Sequence, residues 1–382
     1  MRYPTSKLPH IGLTIFSQMS ALAAEYQAIN LSQGFPDFDG PAELLNAAGK
    51  HIQAGANQYA PMSGLATLRD AIADKVQRCY QRKLSPDTEI TITSGATEAI
   101  FAAISAVVSS GDEVIVFDPA YDSYEPAIRL NGATSVHIAL VPPAFEIDWQ
   151  QVEAAITPRT RMIIINSPHN PTGTTLTEYD LARLAAILQD TDIVLLSDEV
   201  YEHIIFDGAK HMSVNRHAEL AERSFIISSF GKTYHVTGWK IGYCVAPKSL
   251  TKELQKVHQY LTFSSATPLQ AAIAEFMVAH PEYEQQLGGF YQQKRNFLNQ
   301  ALAASPFDLT PSAGTYFQLL DYRNVSDLTD LDFVSWLLEN VGVAAIPLSP
   351  FYKGGYQTGF IRLCFAKGEA TLSEATERLC KI

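Results

Sequence analysis

Small, polar and ionisable residues follow five apolar runs of strand length. These polar stretches are residues 94–97, 118–121, 166–173, 197–201 and 229–232. Ligands of open parallel sheets bind outside the carboxyl ends of the strands. We therefore expect the five stretches to lie along one edge of a sheet and to form a site there. Their convergence carries more weight than any single stretch.

Lys232 and Asp198 are the candidates for covalent and acid–base chemistry. Lys232 comes directly after Gly231 and an apolar run, and a partly desolvated lysine amine forms Schiff bases with carbonyl compounds. Asp198 ends a strongly apolar run, where a carboxylate is rarely left unpaired. It could hold a metal, orient a histidine or pair with a cationic ring nitrogen. The plainer alternatives are a lysine at an ordinary strand–loop junction and an aspartate that caps a helix.

Two further features point to anion binding. Residues 94–97, Ser-Gly-Ala-Thr, open a helix, and the free N–H groups of a helix N-terminus attract phosphate. Plain capping by Ser94 or Thr97 is the alternative there. Arg362 lies between apolar residues in a late strand, where its guanidinium could bind a carboxylate through two hydrogen bonds. Its alternative is an outward-facing strand residue.

Composition excludes several classes of function. The 382 residues carry 28 basic and 40 acidic side chains, so the formal net charge is −12. That charge argues against nucleic-acid and membrane partners. With 47% hydrophobic and 18% charged residues, the chain can form a packed core. The histidines and carboxylates show no metal-ligand spacing, and no Cys-x-x-Cys pair occurs, so we expect no metal site.

Location and domain organisation follow from similar observations. The first ten residues lack the apolar core of a signal peptide, and the longest apolar-rich run, 99–108, is half a membrane span. A soluble cytoplasmic protein is therefore predicted.

Strand-like runs occur at 90–93, 114–117, 162–165, 193–196, 225–228 and 241–246, and they alternate in part with helical patterns. This alternation predicts an α/β fold with a mostly parallel sheet and helices on both faces.

The two ends of the chain predict a second, smaller domain. Short strands and helical segments after residue 283 suggest an α+β unit to which the N-terminal residues also contribute. The predicted organisation is an N-terminal segment of the small domain (1–45), a large domain that carries the five polar stretches (46–284) and the C-terminal part of the small domain (285–382).

Taken together, these motifs resemble the fold-type I pyridoxal-phosphate enzymes of the class I aminotransferase family. Asn-Pro-Thr-Gly at 170–173, Ser-Asp-Glu-Val-Tyr at 197–201, Ser-x-x-Lys at 229–232 and Gly-Trp-Lys-x-Gly-Tyr at 238–243 occur in the family's order and spacing. The resemblance covers about residues 30–366 and implies a seven-stranded sheet. Runs 33–38, 229–233 and 237–240 are most like the kynurenine, glutamine and methionine transaminase branch, and especially its bacterial methionine aminotransferases.

The resemblance implies pyridoxal 5′-phosphate as cofactor and a role for each residue around its ring. Lys232 would hold the cofactor aldehyde as a Schiff base and later move the proton between the substrate Cα and the cofactor C4′. Asp198 would keep the ring nitrogen protonated. Tyr201 and Asn170 would bond the phenolic oxygen, and Tyr121 would stack on the ring.

The same resemblance implies a phosphate site and a shared dimer site. The phosphate site would comprise Gly95, Ala96, Thr97, Ser229 and Lys240. Many relatives have arginine at position 240. Lysine keeps the positive charge but cannot form the two parallel hydrogen bonds that arginine makes to a phosphate. Tyr59 would reach the phosphate of the neighbouring subunit, so a homodimer is expected.

Amino acids and 2-oxo acids are the implied substrates. Arg362, Asn170 and the backbone of Gly34 would bind the α-carboxylate, and Phe16 and Tyr59 could form apolar walls. Residues 256–270 lack the second arginine that aspartate transaminases use, which favours neutral amino acids. A cysteine-conjugate β-lyase that uses the same Lys232 and Asp198 is the alternative. A regulator without turnover would carry an additional N-terminal DNA-binding domain. It is disfavoured because only about thirty residues precede the enzyme-like region and the chain is acidic.

Overall fold

A computed structural model describes residues 5–382, so the first four residues of the predicted N-terminal segment lie outside the described part. Its strands are β1 Ile29–Asn30, β2 Ile90–Thr93, β3 Glu113–Asp118, β4 Thr134–Ala139, β5 Thr160–Asn166, β6 Val194–Asp198, β7 Ser224–Ser229, β8 Gly242–Val245, β9 Phe317–Asp321, β10 Val343–Ala344, β11 Ile346–Pro347 and β12 Phe360–Cys364.

Seven of these strands form one large sheet in the order β2-β8-β7-β6-β5-β3-β4. Strand β8 runs antiparallel to both of its neighbours, and the other six strands run parallel to one another. Residues 230–241 connect β7 to β8 and contain only the one-turn helix Phe230–Thr233 and a short 3-10 turn at Thr237–Trp239. Without a long crossover helix, β8 runs in the reversed direction. The prediction of a mostly parallel seven-stranded sheet is confirmed.

Strand β4 was not predicted, because the search of the sequence for apolar runs did not detect it. It lies at the edge of the sheet, and only Ser135 and Ile138 of its residues are buried. An edge strand of this kind needs fewer apolar residues than a central one, so its sequence signal is weak.

Helices cover both faces of the large sheet. The helices are α1 Ile15–Glu25, α2 Ala42–Gln53, α3 Ala66–Tyr80, α4 Pro86–Glu89, α5 Ala96–Val107, α6 Tyr124–Leu130, α7 Trp149–Ala155, α8 Glu178–Leu188, α9 Ala218–Ala221, α10 Phe230–Thr233, α11 Lys248–Leu261, α12 Thr267–Ala279, α13 Tyr283–Ala301, α14 Asp330–Asn340 and α15 Glu369–Leu379. Successive strand residues point to opposite faces, so Ile115 enters one apolar core while Val114 and Val116 enter the other. This two-sided burial holds the strand ends rigidly beside one another.

Two small sheets bring the ends of the chain together. Strand β1 pairs in parallel with β10, with Ile29 opposite Val343. Strands β11, β12 and β9 form an antiparallel sheet in that order. A separate apolar core, which includes Met19 and Leu372, packs around these elements. The domain boundaries at residues 45 and 284 stay a prediction.

No helix within residues 5–382 is both long enough and apolar enough to cross a membrane. The same residues contain no group of three or more histidine, cysteine or acidic side chains arranged to bind a metal.

Candidate active site

A cavity of about 290 Å³ opens at the carboxyl ends of the parallel strands. All of the predicted site residues except Tyr59 line it: Phe16, Gly34, Gly95, Ala96, Thr97, Tyr121, Asn170, Asp198, Tyr201, Ser229, Lys232, Lys240 and Arg362. The expectation that the strand ends converge on one site agrees with this placement, because residues after β2, β3, β5, β6 and β7 all reach the cavity.

Lys232 lies in the one-turn helix α10, directly after β7. Its Nζ donates hydrogen bonds to the hydroxyl of Tyr316 at 2.9 Å and to the carbonyl of Gly34 at 3.1 Å. Burial lowers the pKa of this amine to about 8, and the cations Arg362 and Lys240 act in the same direction. At pH 7 roughly a tenth of the amine is therefore uncharged, which is the form that a nucleophile or base requires.

Asp198 is the last residue of β6 and is buried. Tyr124 donates a 2.7 Å hydrogen bond to its Oδ2, and the backbone N–H of Val200 donates one of 3.3 Å to its Oδ1. Burial raises the pKa of this carboxyl to about 6, although both hydrogen bonds pull it down. The helix-cap interpretation is wrong, since the residues after Asp198 form turns rather than a helix. A buried, partnered carboxylate at this position can stabilise a cation in the cavity.

Arg362 lies in the middle of β12, and only 1% of its surface is exposed. Its Nη1 donates to Oδ1 of Asn170 at 2.8 Å, and its Nη2 donates to the carbonyl of Ser32 at 2.7 Å. The guanidinium lies 3.9 Å from the ring centroid of Phe317. Within residues 5–382 its Nε makes no hydrogen bond. The outward-facing interpretation of this arginine is therefore wrong.

Helix α5 begins at the cavity, where Ala96 and Thr97 are lining residues, and the first backbone N–H groups of a helix have no partner within the helix. No side chain caps this helix, so the interpretation of residues 94–97 as a plain cap is wrong. Gly95 has a φ of +82°, and a Cβ added there would lie 3.2 Å from Cε of Lys240. The helix end and the lysine ammonium thus face one small volume, which suits a doubly charged phosphate.

Tyr59 lies outside this cavity. Its surface is 84% exposed, and its ring packs edge-on against Phe263 at a centroid distance of 5.4 Å. Tyr260, in the segment that lacks the second arginine, is 87% exposed. The contribution of Tyr59 to a neighbouring subunit therefore stays a prediction.

Comparisons with known proteins agree with this geometry. The family model for aminotransferase class I and II matches residues 26–379. The chain belongs to this family. It is 54% identical over 376 residues to a methionine aminotransferase of Escherichia coli, covering 98% of this chain and 97% of that protein. It is 32% identical to kynurenine–oxoglutarate transaminase 1 of Rattus norvegicus, covering 100% and 98% of the two chains.

Solved structures of aminotransferases are similar over the same length. A methionine aminotransferase structure from Escherichia coli has a TM-score of 0.98 at 53% identity and covers 100% of both chains. An N-succinyldiaminopimelate aminotransferase from Mycobacterium tuberculosis has a TM-score of 0.96 at 40% identity, covering 99% of this chain and 100% of that one. The family and the branch predicted from the motifs are confirmed.

Among the residues of this aminotransferase site that were missed in the sequence, three contact Lys232 or Asp198. Tyr124 contacts Asp198, Tyr316 contacts Lys232, and Asn166 donates from Nδ2 to the carbonyl of Asp198 at 2.9 Å. Asn166 lies in the polar stretch 166–173, and Tyr124 lies three residues after the stretch 118–121. Considering every polar residue in and next to these stretches would have identified both. Tyr316 precedes β9, far from the five polar stretches, and the sequence gives no signal for it.

Proposed function

We propose that this aminotransferase transfers the α-amino group of a neutral amino acid, methionine being the first to test, to a 2-oxo acid with pyridoxal 5′-phosphate as cofactor. The observation that carries the proposal is the arrangement of Lys232, Asp198 and Arg362 around one cavity with apolar walls. A base, an anion for a ring nitrogen and a cation for a carboxylate are the groups that this reaction needs.

The chain's residues fit the cofactor. The N-terminus of α5, the hydroxyl of Ser229 and the ammonium of Lys240 would hold its phosphate. Asp198 would hold its ring nitrogen in the protonated form, and Tyr121 would lie against its ring. When bound, pyridoxal phosphate supplies an aldehyde that accepts the amino group and a ring that withdraws electrons from the substrate Cα.

Lys232 is the proposed base. Its Nζ, with a pKa lowered to about 8, would remove the proton from the substrate Cα and deliver it to the cofactor C4′. Tyr201 and Asn170 would bond the phenolic oxygen of the cofactor. Oδ1 of Asn170 accepts from Arg362, so its Nδ2 is the end left to donate.

Arg362 would bind the α-carboxylate of the substrate. Among the described residues, the cations lining the cavity are Lys232, Lys240 and Arg362, each of which already has a proposed partner. A second carboxylate on the substrate would lose its hydration on entering the cavity and would find no cationic partner there. Burying an unpaired charge in this way has a high free-energy cost. Phe16, Phe35 and Phe317 line the cavity as apolar walls. These surroundings favour a neutral side chain such as that of methionine.

We also propose a cytoplasmic homodimer with shared sites. Tyr59 and Tyr260 are large rings that are mostly exposed in the single chain, as is Leu13 at 77%. A partner subunit that covered them would bury this apolar surface. The four cysteines are free thiols, as expected of a reducing compartment. Sedimentation at several protein concentrations would test the assembly.

The function can be tested with absorbance spectra of the cofactor-loaded protein. We expect a visible band that borohydride removes, a shift to shorter wavelength with methionine alone, and recovery when a 2-oxo acid is added. Lys232→Ala should remove the borohydride sensitivity without unfolding the protein. Pyruvate release from a cysteine conjugate, without any shift with methionine, would instead establish a lyase. No spectral change with any neutral amino acid would overturn the proposal.

A further inference from the structure

We propose that Tyr316 is a further residue of the reaction, whose phenolic oxygen positions the free amine of Lys232. The inference rests on the proposed function, because it assigns Tyr316 to the step in which that amine moves a proton. Tyr316 precedes β9 in the C-terminal part of the chain, whereas Lys232 follows β7 of the large sheet.

The hydrogen bonds around Tyr316 define the direction of the contact. Its hydroxyl donates to the carbonyl of Gly34 at 2.5 Å, and the hydroxyl has only one hydrogen to donate. The lone pairs of its oxygen therefore accept from Nζ of Lys232 at 2.9 Å. Nζ also donates to the same carbonyl of Gly34 at 3.1 Å, so the three groups form a closed triangle.

This triangle restrains a side chain that is otherwise flexible. A lysine has four rotatable side-chain carbons, and an amine that has left its carbonyl partner could swing away from the reacting carbon. Two acceptors on one side of Nζ hold it at a fixed distance from the cavity. Fixed placement of a catalytic group is worth a large factor in rate, and displacements near 1 Å cost about 100-fold.

The carbonyl of Gly34 is itself held in place by the residue after Tyr316. A Cβ added to Gly34 would lie 2.8 Å from Cζ of Phe317, so the backbone of Gly34 presses directly onto that ring. Gly34 lines the cavity. Tyr316 thus joins the amine of Lys232 to a segment that faces the substrate.

A purely structural role for Tyr316 is the competing explanation. Its ring is buried and packs against Tyr201, Phe317 and Tyr291, with centroid distances of 5.1, 5.0 and 5.6 Å. Tyr291 provides the matched comparison. It is equally buried in the same cluster, but its hydroxyl has no hydrogen-bond partner within residues 5–382. Removing that hydroxyl changes packing by the same one atom and leaves Lys232 untouched.

Other groups also act on the amine of Lys232. They are Asp198, Cys364, Arg362, Lys240 and the ring of Tyr201. All of them remain in place in both single-hydroxyl variants. A difference between Tyr316→Phe and Tyr291→Phe therefore reports the hydrogen bonds of the Tyr316 hydroxyl, to Lys232 and to Gly34, rather than the loss of one buried atom from the cluster.

The first measurement uses the cofactor-free protein. Acylation of Lys232 is followed against pH by mass spectrometry of its peptide, and its midpoint reports the pKa of the amine. Tyr316→Phe removes an acceptor that stabilises the charged form, so we expect the midpoint to fall by about one unit. We expect no shift in Tyr291→Phe.

The second measurement is single-turnover conversion of methionine by the cofactor-loaded protein. We expect Tyr316→Phe to slow the step about 10- to 100-fold, with little change in the methionine concentration that gives half the limiting rate and a larger isotope effect for Cα-deuterated methionine. Equal effects in both variants, or no effect in Tyr316→Phe on either measurement, would overturn the proposal.

Folding is checked separately by the melting temperature of each variant. If Tyr316→Phe does not fold, 4-fluorophenylalanine at position 316 keeps the ring and fills the space of the hydroxyl, but its fluorine cannot ionise and is a very weak acceptor. A lowered acylation midpoint in that protein supports the proposal, and an unchanged midpoint overturns it. Failure of the proposed function would be seen independently, as wild-type protein that converts no amino acid.

Discussion

Arg362 donates a 2.8 Å hydrogen bond from Nη1 to Oδ1 of Asn170, across 192 positions of the chain. The bond joins strand β12 of a small sheet to the loop that follows β5 of the large sheet. It also orients both groups, because Asn170 then presents its Nδ2 as a donor and Arg362 keeps its Nε free of protein partners within the described residues. This one hydrogen bond thus orients Asn170 for the cofactor's phenolic oxygen and Arg362 for the substrate carboxylate, the two roles proposed for them.

Arg362→Lys should reduce kcat/KM for methionine by roughly 100-fold, because a lysine cannot bond Asn170, Ser32 and a carboxylate through one planar group. Much of the loss should appear as a higher KM for both the amino acid and the 2-oxo acid. Steady-state kinetics with both substrates provides the measurement. Arg323→Lys, at an exposed arginine that pairs with Asp321, is the control and should change little. Unchanged KM values in Arg362→Lys would contradict carboxylate binding by this residue.

The sequence allowed the large sheet and most of the site to be predicted because polar residues at the ends of buried strands stand out. Lys232 and Asp198 each follow a strongly apolar run. Edge strand β4 was missed because its burial is incomplete. The exposure of Tyr59 in a single chain also could not be inferred from its local sequence.

Contacts between residues that are distant in the sequence also could not be predicted from it. The hydroxyl of Tyr316 and the carbonyl of Gly34 are 282 positions apart. Tyr316 looks locally like an ordinary core residue, and Gly34 was predicted as a site residue only because of the family resemblance. Only the docking of β9 beside the loop around Gly34 makes them partners of Lys232. Such pairs depend on tertiary packing, which periodicity and motif spacing do not encode.

Tyr124→Phe should weaken cofactor binding and move the acid limb of the activity profile to higher pH. Burial has already raised the pKa of Asp198 to about 6, and the Tyr124 hydroxyl is the strongest of the bonds that pull it down. Without that bond the pKa of Asp198 rises further, so a larger fraction is neutral between pH 6 and 7. We expect about a tenfold weaker cofactor affinity at pH 6.5, measured by fluorescence titration.

The matched control for this change is Tyr179→Phe, at a tyrosine that is 67% exposed. It should leave both the affinity and the pH profile unchanged. Equal cofactor affinity of Tyr124→Phe and wild type from pH 5.5 to 8 would show that Tyr124 does not influence the charge of Asp198.

Gly95→Ala should impair phosphate binding as well as stability. At φ +82° any side chain strains the backbone by about 1 kcal/mol or more, and the new Cβ would meet Cε and Nζ of Lys240 at 3.2 and 3.3 Å. Gly111→Ala is the control, since Gly111 has a φ of +91° but no atom within 4 Å of an added Cβ. Both variants should lose similar stability. Only Gly95→Ala should bind inorganic phosphate and the cofactor more weakly; equal affinities in the two variants would contradict the phosphate site.

A buried ion pair lies behind the catalytic residues. Nζ of Lys75 contacts Oε2 of Glu202 at 2.6 Å, and each side chain is only 3% exposed. Glu202 directly follows Tyr201 and accepts a 2.5 Å hydrogen bond from Ser228, the residue before Ser229. Its carboxylate therefore links helix α3 to the backbone that carries two residues of the site.

Glu202→Gln should destabilise the protein by about 3–5 kcal/mol, because it removes the carboxylate in direct contact with the buried ammonium of Lys75. In a chain of this length that loss lowers the Tm by roughly 5 °C, which differential scanning calorimetry can measure. Adding Lys75→Met to Glu202→Gln should restore part of the loss, since the unpaired charge is then gone. Glu253→Gln breaks the exposed pair with Lys256 and should change Tm little. A Glu202→Gln protein as stable as Glu253→Gln would mean that the burial of this pair does not determine the stability of the site.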